Sequence, residues 1–365
     1  MDSGTRPRHA YLDNLKVVLV VGVIVGHVLI TYADVGTWAY RETSVNDAFL
    51  IPSALIVALG SLFAMGVFFL IAGLLTPGPL ERKGPAGFLL DRTLRLGVPF
   101  LVFLLLLYPT VKWVGERGAQ SVDWFLRQQL RDLDPGPLWF VLALLIFSVG
   151  YVVWRQLRHR PSAPRPMRPF TLVAFAVGIA VATFVTRLWF PIDSRQVLEL
   201  HVWQWPQCIG MFVLGLACAE NGWLQPVPSR VRRRAGVAAL IALAAVVVAF
   251  AVGRDSIDPF AGGTSWQAVL VAACEGALAV GLAVWLLGVF QAHADHAGRF
   301  VRAMGRAAFG AYIIQAAVVI GLAVLLADWA VAPEVKALVV APLAVAGSFG
   351  LAWLLTQVPG VGRFV

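Results

Sequence analysis

The sequence predicts an all-α, polytopic integral membrane protein with about ten transmembrane helices. Of its 365 residues, 59% are hydrophobic and only 13% are charged, whereas a soluble domain carries roughly a quarter charged residues. Apolar stretches of about 20 residues, long enough to cross a hydrocarbon core of about 30 Å, recur along the whole chain. Because the backbone must satisfy its own hydrogen bonds in lipid, such stretches fold as helices.

Ten stretches are predicted to span the membrane. They cover residues 12–33, 49–75, 96–114, 137–155, 170–190, 204–219, 235–253, 266–290, 308–327 and 336–356. The fifth and sixth are the weakest, because aromatic and polar residues interrupt the chain between them. Residues 115–136 mix apolar and charged side chains at helical spacing, which predicts a short amphipathic helix. We expect residues 1–365 to form a single transmembrane domain, with no soluble domain.

The basic residues predict the orientation of the chain. When the N-terminus is placed on the cytoplasmic side, 20 of the 29 lysines and arginines fall in cytoplasmic segments. Because cytoplasmic loops carry the excess of Lys and Arg, both termini are predicted to be cytoplasmic. The net charge of +9 is then a consequence of topology. We expect a multi-pass protein of the cell (plasma or inner) membrane, with the lipid bilayer and no nucleic acid as a partner.

Two titratable residues share one face of the first predicted helix. Lys16 and His27 are eleven residues apart, which corresponds to about three helical turns and a rise of about 16 Å. Lys16 is therefore expected at the cytoplasmic surface and His27 within the membrane. Because an ionisable side chain in hydrocarbon is costly, its presence indicates a functional site. His27 is the first candidate for a catalytic residue.

Other polar residues also fall in the apolar stretches. Glu275 is the one carboxylate well inside a span, where it must be protonated or find a cation. It is a candidate catalytic residue, and the alternative is a purely structural contact between helices. Gln204 and Gln207, beside Trp203 and Trp205, indicate a binding site at the outer face, although tryptophan also occurs at membrane interfaces without a function.

A basic cluster lies at the cytoplasmic entry to the third span. Arg92 and Arg95 are three residues apart, so both guanidinium groups are expected on one side of the helix end. With Lys83 nearby, such a pair can hold phosphate groups through paired hydrogen bonds. The alternative is that these charges only set the topology and contact lipid headgroups. The cysteines and histidines do not have the spacing of a metal site, so no metal is expected.

The order of several motifs resembles that of the acyltransferase-3 family. These motifs are LDNLK followed by His27, FFLIAG, FLLDRTLRL, GPLWFVLALLIFSVGY, WPQCIGMFVLGLACAENGWL and AAFGAYIIQ. The resemblance runs from the N-terminus to about residue 320, and within the family it is greatest to the branch of periplasmic-glucan succinylation proteins. Members are integral-membrane enzymes that O-acylate sugars and other acceptors, commonly with acetyl or succinyl groups.

The resemblance implies a role for each matching residue. His27 matches the catalytic histidine of the family, and Lys16 matches the basic residue that precedes it. Arg92 and Arg95 match the paired arginines linked to acyl-coenzyme A binding. Trp139 matches the tryptophan of the L-W-F motif.

Two positions depart from the family pattern. Ala72 stands where many members have serine, and Gln315 stands where many have histidine after the tyrosine, here Tyr312. Because glutamine hydrogen-bonds but does not transfer a proton at pH 7, an acid–base role at Gln315 is in doubt. Gln315 stays a candidate for binding the substrate.

Sequence and resemblance together predict a membrane O-acyltransferase with acyl-coenzyme A as its co-substrate. A neutral His27, with an ordinary pKa of about 6.5, would act as general base on a hydroxyl of a carbohydrate or similar acceptor. The residues expected to hold the donor are Lys16, Lys83, Arg92 and Arg95. The residues expected to contact the substrate are Trp139, Gln204, Gln207 and Gln315.

An alternative function is a proton-coupled secondary transporter or exporter of a polar metabolite. His27 and Glu275 would then form a proton relay. Such transporters commonly contain inverted repeats with broken helices at corresponding positions. The two halves of this sequence do not visibly match, which favours the enzyme. A third possibility is a non-catalytic relative that serves as a scaffold.

Overall fold

The predicted all-α fold is confirmed. A computed structural model describes residues 10–33, 36, 38–117, 119–131, 133–158, 164–168, 170–192, 194, 196–253, 258–296 and 298–363, and every regular element within them is helical. Among these residues, nine helical segments are long and apolar enough to cross a membrane. A further apolar helix, Thr171–Arg187, has 17 residues. These ten segments correspond in order to the ten predicted spans.

The described residues of the first half form nine α-helices. Their bounds are α1 Ala10–Tyr32, α2 Asp47–Ser61, α3 Ala64–Leu74, α4 Pro77–Arg92, α5 Val98–Val102, α6 Tyr108–Gly115, α7 Val122–Arg131, α8 Trp139–Leu157 and α9 Thr171–Arg187. The π-helical turns Thr93–Gly97 and Phe103–Leu107 join α4, α5 and α6 into one continuous helical segment. The short helix α7 lies where the amphipathic helix is predicted.

In the second half, the residues that the structure describes form six α-helices. Their bounds are α10 Trp205–Asn221, α11 Ser229–Val252, α12 Asp258–Ala261, α13 Trp266–His293, α14 Arg299–Leu325 and α15 Pro333–Gln357. Short 3₁₀ turns occur at Gly136–Leu138, Val197–Glu199, Val202–Gln204 and Val361–Arg363. Below, the end of the bundle where α1 begins is called the Lys16 end, and the end where α1 finishes is called the His27 end.

Glycines allow two central helices to touch backbone to backbone. A Cβ atom on Gly73 of α3 would collide with the carbonyl oxygen of Phe212 on α10, and one on Gly215 of α10 would collide with that of Leu70. Without a hydrophobic driving force between helices in lipid, close contact of this kind supplies the packing energy. Helices α3 and α10 therefore form one of the most closely packed pairs in the described bundle.

The second predicted span is one helix in the sequence analysis but two in the structure. Residues 62 and 63 interrupt it between α2 and α3. Backbone groups freed at such a break must find other partners inside the membrane. Gln204 donates a hydrogen bond of 2.7 Å to the carbonyl of Ser61, and Gln207 donates to that of Leu62. These two side-chain amides therefore replace part of the hydrogen bonding that a continuous helix would supply.

The third helical segment begins earlier than predicted. Residues 77–92, expected to form a connection, fold as α4. Its apolar side chains Leu80 and Phe88 are buried, which gives the helix a face to pack. Gly84, at φ 68°, bends it just before Pro85, and glycine adopts this left-handed conformation without a Cβ clash. The basic cluster thus lies on a folded helix rather than on a loop.

Candidate active site

His27 is partly buried and held by its own helix. Its Nδ1 atom lies 2.8 Å from the carbonyl oxygen of Val23. Because a carbonyl only accepts hydrogen bonds, Nδ1 must carry the proton, and in the neutral ring Nε2 then has the free lone pair. No hydrogen bond from a described residue reaches Nε2. The ring of Trp38 lies against the imidazole, with 4.6 Å between the ring centroids.

Gln315 lies at nearly the same depth as His27. Helices α1 and α14 run in the same direction, since Asp13 packs against Gly305 and Lys16 lines a cavity with Phe309. Counting residues from Asp13 and Gly305 places Gln315 within about 6 Å of His27 along the helix axes. Both polar atoms of the Gln315 amide are buried and have no hydrogen-bond partner among the described residues. The binding role expected for Gln315 stays a prediction.

The basic cluster on α4 is divided between two environments. Lys83 and Arg95 both contact the carboxylate of Asp91, at 2.8 Å and 3.2 Å. Arg92 instead turns inward, donates to the hydroxyl of Thr76 at 3.3 Å and lies over the ring of Phe88.

The expectation that both guanidinium groups share one side of an α-helix end is therefore wrong in detail. The π-helical turn at Thr93–Gly97 changes the angular spacing, and the Arg95 side chain is 61% exposed whereas most of Arg92 is covered. Both arginines still lie close to the helical turn that contains Asp91, at the Lys16 end.

Lys16 belongs to a different group of residues. Its ammonium lies 2.7 Å from the carboxylate of Asp13. It lines a cavity of about 550 Å³ together with Arg306 and Thr356. Among the described contacts, none joins this group to the cluster on α4. The four predicted donor residues therefore form two sites at the Lys16 end rather than one.

Glu275 is fully buried and paired. Arg187, at the end of α9, donates a hydrogen bond of 2.5 Å to one carboxylate oxygen. Gln207 lies 3.4 Å from the other oxygen and also accepts a hydrogen bond from the backbone of Gly66. These contacts fit the structural alternative for Glu275, whose catalytic role stays a prediction. They bring together two of the predicted site residues, Glu275 and Gln207.

Trp139 contacts a strained segment at the His27 end. Its indole packs against the ring of His201, with 5.1 Å between centroids. His201 has a positive φ of 47°, as do Leu198 at 57° and Glu199 at 42°. Residues other than glycine adopt this conformation at a cost of order 1–3 kcal/mol, and such strain concentrates at functional sites. Trp139 therefore packs against a segment whose unfavourable backbone conformation must be held in place by the surrounding structure.

Several residues that shape these sites have no recognisable sequence pattern. Arg187 lies near the end of the fifth predicted span, four residues after Thr183 on one helical face. Asp91 directly precedes Arg92, in a segment whose charge pattern is otherwise basic. Trp38 lies beyond the first span, in a loop without a recognisable pattern. In the described part of the chain, no group of three or more His, Cys, Asp or Glu residues is placed to hold a metal ion.

The arrangement defines a class of protein. It is a polytopic membrane protein with a candidate general base inside the bundle and cationic side chains at one end. Residues 9–357 match the model of the acyltransferase-3 family, described as an acyltransferase domain. The chain belongs to this family. Membership of a family described by an acyltransferase domain favours the predicted enzyme over the transporter.

Curated relatives carry the name glucans biosynthesis protein C. The protein from Salmonella schwarzengrund (strain CVM19633) is 27% identical over 238 residues, and the one from Salmonella typhi is 26% identical over 233 residues. Each match covers 59% of this chain and 59% of the relative, so the chain spans less than two thirds of the length of the relatives it matches. No solved structure matches the chain.

Proposed function

We propose that this protein transfers an acyl group, acetyl or succinyl, from cytoplasmic acyl-coenzyme A to a hydroxyl of a carbohydrate. His27 is the general base. The observation that supports this most strongly is the Nδ1–H hydrogen bond to Val23, because it leaves Nε2 as the proton acceptor. A base must hold the tautomer that can accept the proton, and the partner of the other ring nitrogen sets that tautomer.

The donor binds from the Lys16 end. Its phosphates contact Arg92, Arg95 and Lys83, and the last two give up part of their interaction with Asp91. Paired guanidinium groups suit phosphate oxygens in both charge and geometry. Lys16, which faces the cavity beside Arg306, holds a second anionic group of the donor. The rise of about 16 Å from Lys16 to His27 is the distance that the donor's flexible arm has to cover.

The transfer step conserves atoms and protons. Nε2 of His27 removes the proton from the acceptor hydroxyl as its oxygen attacks the thioester carbonyl. The new carbon–oxygen bond forms, the carbon–sulfur bond breaks, and the proton passes from His27 to the departing thiolate. General-base catalysis of this kind contributes about 10²–10⁴-fold to a rate. Gln315, with its amide unpartnered at the same depth, contacts the reacting groups.

A carbohydrate acceptor is supported by the relatives named for glucans biosynthesis. Such a substrate approaches from the His27 end, where Trp139, Gln204 and Gln207 lie close to the ends of their helices. Indole rings and amides are suited to the mixed apolar and hydroxyl surface of a sugar. We expect Trp139 to contact the acceptor directly, whereas the two glutamines shape the site through the α2–α3 break.

The test is transfer by purified protein in lipid vesicles. Wild-type protein is incubated with acetyl- or succinyl-coenzyme A carrying a labelled acyl group, and with a soluble glucose oligosaccharide. We expect labelled oligosaccharide from the wild type and from His293→Ala, a control at the Lys16 end, and none above background from His27→Ala. A His27→Ala variant with full activity would contradict the base assignment, and a wild type inert towards both donors would contradict the donor assignment.

A further inference from the structure

A loop is tied across the His27 end of α1. Residues 38–46, here called the strap, make two backbone hydrogen bonds to the last turn of that helix. The amide of Glu42 donates to the carbonyl of Thr31 at 2.9 Å, and the amide of Ser44 donates to that of Tyr32 at 3.1 Å. The Thr31 hydroxyl in turn donates to the carbonyl of His27 at 2.9 Å. The strap is thus fixed to the turn that follows His27.

A second helix holds the strap through charged hydrogen bonds. Lys336 of α15 is 1% exposed, and its ammonium donates to the Glu42 carboxylate at 2.7 Å and to the carbonyl of Ala327 at 3.0 Å. Two residues earlier on α15, the Glu334 carboxylate accepts a hydrogen bond of 2.7 Å from the hydroxyl of Ser44. Charge-assisted hydrogen bonds are stronger than neutral ones. The strap is therefore clamped between α1 and α15.

The clamped strap presents one side chain to His27. The rings of Trp38 and His27 lie at 4.6 Å between centroids and 40° between planes. The Nε1 atom of Trp38 is buried and has no hydrogen-bond partner among the described residues. The contact with His27 is therefore made by the ring of Trp38 rather than by a hydrogen bond of its N–H group.

An indole ring attracts a cation through its π-electrons. During the reaction His27 becomes such a cation, because Nε2 takes the acceptor's proton before passing it to the departing thiolate. We propose that Trp38 is a positioning residue for His27. Its ring holds the imidazole against rotation away from the Val23 carbonyl and stabilises the imidazolium as it forms. The strap, anchored by Lys336 and Glu42, fixes the indole. This inference rests on the proposed function.

The experiment measures thiol release from acetyl- and succinyl-coenzyme A, which counts transfer to water as well as to a glucose oligosaccharide. Trp38→Leu is expected to lower kcat about tenfold, which equals about 1.4 kcal/mol in barrier height, with the KM for the donor unchanged. Trp38→Phe keeps an aromatic ring and is expected to retain at least about a third of wild-type kcat. Trp329→Leu, at a 43% exposed tryptophan outside the site, is the matched control and should match the wild type.

A double variant separates positioning from loss of structure. If Trp38 acts through His27, Trp38→Leu has no further effect on the residual rate of His27→Gln, because coupled residues are not additive. Equal kcat in Trp38→Leu and wild type would overturn the inference. So would a Trp38→Phe variant as slow as Trp38→Leu, a rise in donor KM alone, or a full further loss in the His27→Gln background.

The same assay distinguishes failure here from failure of the proposed function. If His27→Ala retains full activity, or if the wild type releases no thiol from either donor, both the proposed function and the role of Trp38 are contradicted. If His27→Ala is inactive while Trp38→Leu is as active as the wild type, only the role of Trp38 is overturned.

Discussion

His27 and Glu275 look alike in the sequence but differ in the structure. Each is an ionisable residue within an apolar span. Glu275 has both carboxylate oxygens engaged, one by Arg187 at 2.5 Å and the other by Gln207 at 3.4 Å. His27 has Nδ1 bonded to its own helix, whereas no described residue hydrogen-bonds its Nε2.

The number of side-chain atoms left without a hydrogen bond distinguishes a structural charge from a reactive group in a membrane. A buried carboxylate whose two oxygens are both engaged has little capacity left for a substrate. A neutral imidazole with one nitrogen hydrogen-bonded and the other unpaired can still accept a hydrogen bond from a substrate. We therefore infer that Glu275 holds helices together and that His27 carries the chemistry.

The largest expected effect on stability is at Arg187. Arg187→Leu leaves the Glu275 carboxylate buried without its cation, so we expect a loss of about 3–5 kcal/mol in the free energy of unfolding. Denaturant titration of protein in mild detergent measures it. Arg117→Leu is the matched control, since its pair with Asp328 is 55% and 82% exposed, and an exposed pair contributes about 0–1 kcal/mol.

The paired replacement Arg187→Met with Glu275→Gln sharpens this prediction. It removes both charges together, and such replacements of buried pairs are often neutral. We expect the double variant to unfold within about 1 kcal/mol of the wild type. A double variant as unstable as Arg187→Leu would show that the pair is not the source of the effect.

A smaller loss is expected at Gln207. Gln207→Leu removes the donor to the carbonyl of Leu62 and the acceptor for the amide of Gly66. Buried backbone groups left unpaired cost about 1–3 kcal/mol, so the free energy of unfolding should fall by that amount. Unchanged stability in the same denaturant titration would mean that the α2–α3 break does not depend on this amide.

Gln315 should behave in the opposite way. Its amide is buried and unpaired among the described residues, so Gln315→Leu removes a polar group without breaking a contact. We expect the free energy of unfolding to stay the same or rise by about 1 kcal/mol, while acyl transfer falls. A variant that is destabilised with transfer intact would assign Gln315 to the core rather than to the site.

The sequence predicts most of the fold, because hydropathy is a local property of the chain. All ten apolar segments and the short helix α7 are found in the predicted order, although the third segment begins at Pro77, well before the predicted residue 96. The break between α2 and α3 was not predictable, because Gln204 and Gln207 that support it lie far away in sequence. The same holds for Arg187 and Glu275, whose partners are identified only by packing.

For the candidate site, the sequence indicates residues but not their arrangement. The face shared by Lys16 and His27 follows from helical geometry alone. The π-helical turn that separates Arg92 from Arg95 has no clear sequence signal, and the strap that brings Trp38 to His27 depends on charges of α15. Local pattern therefore indicates His27 as the candidate base, and tertiary contacts determine what surrounds it.

The most direct test compares His27→Gln and Glu275→Gln side by side, with acyl transfer and the free energy of unfolding measured on each. We predict that His27→Gln loses about 10²–10⁴-fold in transfer rate, the usual contribution of a general base, and unfolds like the wild type. We predict that Glu275→Gln is less stable and still transfers the acyl group. A stable, inactive Glu275→Gln together with an active His27→Gln would contradict the assignment of His27 as the base.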